Sequence, residues 1–250
     1  VFGDAKMKTL VVQVQVGNTA AYVYDSIPDA KESAKLFRDI CIPSVKRYAE
    51  KHDYDYKMIT EYPEDFDITY FNRNTKSKDH DYSGGGKNKC STLIRYLNMG
   101  IEGYDRIVSL DCDVWIPDHA SPVPEVKGHA GCVDLGKPWA EFRSKYKLPH
   151  DKFINGGVQI VDGPTGSKIC KFVQKKIINR DLPMIHTDQA YMNEWRSLNP
   201  DKSFVLDESW NYMTGVYVRT DDYSNVNFVH FAGGNGRGIF LDQVKRGVVK

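Results

Sequence analysis

RIVSLDCDVWI, residues 106–116, is the stretch from which the rest of the chain can be ordered. Arg106 to Leu110 has the short, β-branched, apolar character of a buried strand, and it runs straight into Asp111-Cys112-Asp113. Side chains two apart in an extended segment point the same way, so both carboxylates can face one cation. In open α/β sheets the ligand crevice lies outside the carboxyl ends of the strands, where this pair would sit. Two adjacent carboxylates repel unless something positive lies between them, and a divalent metal is the simplest partner. A solvated turn after a strand is the plainer explanation for an isolated Asp-x-Asp. The flanking sequence has to decide between them.

Outward from that stretch, strand and helix patterns alternate. TLVVQVQV, Thr9 to Val16, reads as a buried strand stopping at Gly17-Asn18. Asp29 with Glu32 resembles a capping box, after which Phe37, Ile40, Cys41, Val45 and Tyr48 share one helical face. Pro43 should kink or split that helix, because an interior proline costs about 3 kcal/mol. Tyr54 to Thr60 and Phe153 to Val161 read as strands, and Val226 to Phe231 as the last one. Helices are expected over Cys90 to Met99, Ser167 to Asn179, and from a Thr187 cap to Trp195. Such alternation implies an α/β fold with a mainly parallel, twisted sheet covered by helices on both faces.

Glu61 to Lys89 breaks the pattern. It is polar, holds Gly84-Gly85-Gly86 and shows no period, so it reads as a mobile functional loop. No linker or repeat divides the 250 residues, and one domain over 1–250 is the economical reading. Residues 1–7 read as an expression remnant or a disordered start, with Met7 a candidate natural first residue.

Composition narrows the class further. Hydrophobic residues at 41% and charged residues at 27% exclude a disordered or collagen-like chain. Lys+Arg 34 against Asp+Glu 33 argues against a broad nucleic-acid surface. No apolar run approaches the roughly 18–20 residues that span a bilayer, so no transmembrane segment is expected. Cys41, Cys90, Cys112, Cys132 and Cys170 are scattered with no CxxC pair, which points to reduced thiols and a cytoplasmic setting. A lumenal catalytic domain separated from its membrane anchor would share these features.

Three further segments keep company with Asp111 and Asp113. FINGGVQIVD, Phe153 to Asp162, places paired glycines inside a strand, which suggests close approach of a ligand or another backbone, or a β-bulge. Thr187-Asp188-Gln189 opens a helix, where an acid is at home. His230-Phe231-Ala232-Gly233 leads into Gly-Asn-Gly-Arg-Gly, read as a flexible loop whose Arg237 suits a phosphate.

In this order and spacing, the segments resemble the GT-A glycosyltransferases, particularly the glycogenin-like family 8. The resemblance runs from about Thr9 to Arg237. Asp111-Cys112-Asp113 matches the family's metal motif, and Ile154-Asn155-Gly156-Gly157 its Phe-Asn-x-Gly strand. Asp188-Gln189 matches its Asp-Gln pair, and His230-Phe231-x-Gly233 its terminal His motif; Trp210-Asn211 looks like a further family dipeptide. The chain departs from the family at Gly236-Arg237-Gly238, where Lys-Pro-Trp is usual, and at Gln15 to Asn18, where a Thr-Asn-like pair is common.

The resemblance implies a single GT-A-type domain with a Rossmann-like nucleotide-binding half. It implies transfer of a sugar from a nucleoside-diphosphate sugar, UDP first and GDP second, to a hydroxyl of a glycan, lipid or protein. It favours retention, with Asp188 as general base of an inverting displacement the alternative. Asp111, Asp113 and His230 would hold Mn²⁺, with Mg²⁺ as the alternative. Val16, Gly17, Asn18, Lys89, Cys112, Gly233 and Arg237 would bind the nucleotide. Arg95, Asp134, Asn155, Gly156 and Gly157 would hold the donor sugar, with Asp188 and Gln189 near its anomeric carbon. Glu61 to Lys89 and Lys137 to Lys152 would shape the acceptor side. Phosphatases and nucleotidyltransferases also use paired carboxylates, and a silent sugar-nucleotide-binding module would carry the same motifs.

Overall fold

The computed structural model describes residues 7–15, 30–61, 98–134, 152–178, 187–217 and 220–250. Its main sheet begins with β1 (Thr9–Val14), flanked by β2 (Asp55–Ile59) and β3 (Arg106–Leu110), both parallel to it. On the far side of β3 lies β6 (Ile154–Asp162), which is antiparallel to β3 and to the next strand, β5 (His129–Val133). A short parallel strand, β7 (Ser203–Val205), closes the order β2-β1-β3-β6-β5-β7. The sheet is thus mostly parallel, as expected, with β6 the reversed member.

That reversal positions the site. Because β6 runs against β3, its first residues, rather than its last, meet the carboxyl end of β3. Leu110 pairs with Val158, and the Asp111 N–H donates to the Gly157 carbonyl at 2.8 Å. The Asn155 to Gly157 segment is therefore delivered to the aspartates by backbone pairing alone.

All six residues of β1 are buried, so the strand is covered on both faces. Leu10 and Val12 pack on one face with Ile107 and with the helices α3 (Gly163–Ile178) and α4 (Thr187–Leu198), through Ile169, Val173, Tyr191, Met192 and Trp195. Val11 and Val108 pack on the other, against Val45, Tyr48 and Ala49. Each fully buried aliphatic side chain of this kind is worth about 1.5–3 kcal/mol.

The helix expected around Pro43 is neither broken nor simply bent. An α-helical segment, α1 (Ala30–Leu36), passes into a π-helical turn at Phe37–Cys41, and α2 (Ile42–Lys51) follows. The Ile42 N–H donates to the Phe37 carbonyl, five residues back. Pro43 falls in the first turn of α2, and the extra residue of the π turn absorbs the missing donor that would otherwise break the ladder. Asp29, the expected cap, lies outside the described residues.

Other boundaries shift for local reasons. α3 starts at Gly163, ahead of the expected Ser167, because the Asp162 carboxylate accepts from the Thr165 N–H at 2.7 Å and Pro164 fits the first turn. α4 takes in Thr187 as its first residue and runs on to Leu198. Of the expected helix over Cys90 to Met99, only its end is described, as a 3₁₀ turn at Asn98–Gly100.

The last expected strand shrinks to β9 (Val229–His230), and it does not join the main sheet. It pairs with β4 (Val114–Trp115) and β8 (Tyr212–Met213) in a second, three-stranded sheet of order β4-β9-β8. The residues after it correct a further expectation: Gly233 to Gly238 is no loop but the start of α5 (Gly233–Lys245). Phe240, on that helix, packs with Phe231, Val249, Phe37 and Cys41. Among the described residues no helix is long and apolar enough to cross a membrane, and Cys41, Cys112, Cys132 and Cys170 form no disulfide.

Candidate metal centre and sugar-nucleotide site

The second sheet exists where the Asp-x-Asp stretch needs a partner. β4 begins one residue after Asp113, and its pairing sets Val114 opposite His230. The Phe231 N–H donates to the Asp113 carbonyl at 3.1 Å, which holds the two segments in register. His230 Nε2 then lies 3.3 Å from Asp113 Oδ1 and 3.7 Å from Asp111 Oδ2. One ligand atom from each of Asp111, Asp113 and His230 falls within 4.8 Å of the others.

The main chain under the aspartates is equally tied down. Gln13, on β1, donates from Nε2 to the Asp111 carbonyl at 3.0 Å, and Tyr56 on β2 donates its hydroxyl to Gln13 Oε1 at 2.9 Å. Cys112 turns its thiol toward the Val14 carbonyl, at 3.5 Å. Its side chain thus joins the turn to the end of β1.

His230 is buried, and its other ring nitrogen is also engaged. Nδ1 lies 3.0 Å from Asn211 Oδ1, and Asn211 Nδ2 donates to Asn155 Oδ1 at 3.0 Å. Asn155 Oδ1 also receives the Gly157 N–H at 2.8 Å, and Asn155 Nδ2 reaches Asp134 Oδ2 at 3.3 Å. Gln189 on α4 completes the cluster, donating to the same Asp134 oxygen and accepting from the Gly156 N–H at 3.1 Å. Asn193, one turn further along α4, brackets both polar groups of Ile154, which pins α4 to the start of β6.

Burial by itself would raise the Asp113 carboxyl, but the facing His230 imidazole and the Arg237 guanidinium prevail and hold it below the ordinary carboxylate range. Arg237 Nε is buried and makes no hydrogen bond among the described residues. Gly233 opens α5 with a positive φ of 66°.

Of the residues singled out in the sequence, the structure gathers Asp111, Cys112, Asp113, Asp134, Asn155, Gly156, Gly157, Gln189, His230 and Arg237 around one end of the main sheet. The second of the paired glycines is explained by the histidine: a Cβ on Gly157 would come within 2.1 Å of His230 Cε1. Close approach is needed, but of a side chain rather than of backbone. Val16, Gly17, Asn18, Lys89 and Arg95 lie outside the described residues, as does nearly all of Glu61 to Lys89 and of Lys137 to Lys152. Asp188 is placed in the first turn of α4 by its backbone alone. The residue the sequence underrated is Asn211. It stands there only as half of a dipeptide, and a buried amide with two committed ends shows itself only in three dimensions.

No family model matches the chain, and no curated protein matches it in sequence. Solved structures do. The galactosyltransferase LgtC, in complex with donor and acceptor sugar analogs, matches with a TM-score of 0.56 at 14% identity, over 96% of this chain and 96% of that one. A glycosyltransferase involved in the glycosylation of the major capsid of PBCV-1 matches with a TM-score of 0.52 at 12% identity, over 94% of this chain and 99% of that one. The bifunctional glycosyltransferase WbbM matches with a TM-score of 0.56 at 15% identity, over 93% of this chain and 47% of its own. At such identities the likeness is one of fold. Topology, the placing of Asp-x-Asp after β3 and these superpositions agree: the chain has the GT-A glycosyltransferase fold.

Proposed function

We propose that this protein is a metal-dependent glycosyltransferase of the family 8 type, moving a sugar from a nucleoside-diphosphate sugar to a hydroxyl acceptor with retention of configuration. The observation that carries the reading is the convergence of Asp111, Asp113 and His230 at the carboxyl end of β3. Two carboxylates and an imidazole suit a hard or borderline divalent ion, Mn²⁺ first and Mg²⁺ second. The second nitrogen of His230 is already engaged by an amide, as metal-ligating histidines generally require. Such an ion, when bound, screens the charge that develops on the departing diphosphate.

The chain's own groups do the rest. Arg237, whose charge acts on Asp113 and whose Nε makes no hydrogen bond among the described residues, would meet the diphosphate oxygens. Gly233, Cys112 and the residues following β1 complete the nucleotide side, with uridine the first candidate and guanosine the second. Asp134 and Asn155 would meet the donor sugar's hydroxyls, with the Gly156-Gly157 carbonyls as further acceptors, since their N–H groups are taken up by Gln189 and Asn155. Gln189 is anchored on Asp134 and Gly156, so it is held rigidly next to that sugar. Asp188 precedes it in the first helical turn, where the helix dipole favours an ionised carboxylate that can stabilise positive charge at the anomeric carbon. The acceptor is a glycan, lipid or protein hydroxyl, received on the side formed by Glu61 to Lys89 and Lys137 to Lys152.

A thermal-shift screen of UDP- and GDP-sugars with and without Mn²⁺ tests the reading directly. A ligand at about 100 times its dissociation constant stabilises the fold by about 2.7 kcal/mol. Asp113→Ala should lose the Mn²⁺-dependent shift and turnover while folding normally, because the carboxylate sits at a strand end outside the core. Normal turnover by that variant would overturn the metal assignment. A wild-type protein that shifts with donor and Mn²⁺ yet never transfers or hydrolyses the sugar would be a binding module instead.

A further inference from the structure

Four side chains join the metal centre to the sugar end of the site, and only one arrangement of their protons is consistent. The Gly157 backbone N–H can only donate, and it meets Asn155 at 2.8 Å, so the Asn155 atom there is the carbonyl oxygen. The amide nitrogen of Asn155 must then face Asp134, whose carboxylate accepts it at 3.3 Å. With the Asn155 oxygen turned to Asn211, the Asn211 atom opposite it at 3.0 Å is its nitrogen. Asn211 is left with its oxygen toward His230 Nδ1 at 3.0 Å, and that ring nitrogen must carry the proton. In the neutral ring the lone pair is thereby left on Nε2, on the side of Asp111 and Asp113.

Asn211 is fully buried and cannot turn over by exchanging partners with water. Its backbone is fixed as well. Its N–H donates to the Glu208 carbonyl at 3.1 Å, and the next residue, Tyr212, is paired through its own N–H to Phe228 at 2.9 Å. We propose that Asn211 is a positioning residue: relayed from Gly157 and Asp134 through Asn155, it fixes the His230 tautomer so that Nε2 is held ready to ligate a divalent cation. The proposal deepens the metal reading above and rests on it for its consequence, though the proton arrangement is a property of the protein alone. All the donors point one way, from the ring to the Asp134 carboxylate, so each hydrogen bond polarises the next.

Two measurements test it. The first is ¹⁵N NMR of histidine-labelled, metal-free protein at alkaline pH, where the ring is neutral; the His230 signals are assigned by their loss in His230→Gln. The expected result is the tautomer with the proton on Nδ1. A proton on Nε2 overturns the proposal. The second is Mn²⁺ affinity, read from the paramagnetic resonance of free Mn²⁺, for wild type, Asn211→Leu and Asn155→Ala. Asn211→Leu should bind Mn²⁺ ten- to a hundredfold more weakly. Asn155→Ala, which touches neither the ring nor the metal ligands, should weaken it too, because Asn211 is then free to invert. Unchanged affinity in both overturns the positioning role, and if Asn211→Leu does not fold, Asn155→Ala carries the test. A wild-type protein with the Nδ1 proton and no Mn²⁺ affinity would refute the metal reading while upholding the relay.

Discussion

His230 rests on Gly157, and the fit leaves no room for another atom. A Cβ there would sit 2.1 Å from Cε1 and 2.5 Å from Nδ1 of the ring, well inside contact distance. The ring cannot withdraw into solvent, since it is only 3% exposed and is held by Asn211 on its Nδ1 side. Gly157→Ala should therefore displace the imidazole toward the aspartates and break its bond to Asn211. Overpacking of this kind costs about 1–3 kcal/mol. The expected outcome is a lowered melting temperature together with at least a tenfold loss of Mn²⁺ affinity. A variant that melts lower but binds Mn²⁺ as wild type would show that the ring position is not what the glycine protects.

At the scale of elements, α5 is the helix that intrinsic propensity argues against most strongly. Four of its first six residues are glycine, and each interior glycine costs about 1 kcal/mol relative to alanine. Packing outweighs that. A Cβ at Gly236 would meet the Phe231 carbonyl carbon at 2.5 Å, whereas one at Gly238 has nothing within 4 Å. The two glycines should respond in opposite directions. Gly238→Ala should stabilise the protein by about 0.5–1 kcal/mol, and Gly236→Ala should destabilise it by about 1–3 kcal/mol, both read from chemical denaturation. Equal effects would mean that the helix start does not press on Phe231. This is also why the segment reads as a loop in the sequence: the contact that requires glycine at Gly236 is with the Phe231 backbone, and leaves no trace in periodicity. β3, β2 and the Asp-x-Asp with its terminal histidine were legible, because apolar runs and paired carboxylates carry their own signal. The two-residue strands β4, β8 and β9 are too short to show alternation, and the antiparallel direction of β6 is written in its partners rather than in its own residues. Asn211 was hidden for a related reason, since nothing in a Trp-Asn dipeptide announces a buried amide.

Across the whole molecule, the polar interior does not stop at the metal centre. Gln159 on β6 donates from Nε2 to the Gly156 carbonyl at 2.9 Å and presents Oε1 to His129 Nε2, also at 2.9 Å. Arg196 on α4 lies behind His129, bonding its carbonyl at 3.0 Å and reaching across to the Phe204 carbonyl of β7. His129 and Arg196 are both buried, so the sheet carries a line of polar groups from the site to its far edge. Burial, with the Arg196 cation adding to it, depresses His129 from about 6.5 to about 3. The ring therefore stays neutral in the folded protein across the range where it would protonate in the unfolded chain. A depressed histidine favours the fold fully above its unfolded value, and that advantage is lost as pH falls below about 6.5. The loss approaches about 1.4 kcal/mol per pH unit, or about 2 kcal/mol by pH 5. Carboxylates such as Asp207, held low by the Ser209 N–H, weaken the fold only further down, as pH falls through and below their ordinary value of 3.8. The two windows separate. His129→Gln keeps a group able to donate to Gln159 and accept from Arg196 but takes up no proton. Urea denaturation of both proteins at pH 7 and pH 5 should show wild type losing about 2 kcal/mol more than the variant over that interval. An equal loss in the two would mean that water reaches the ring and that the polar line is not sealed within the sheet.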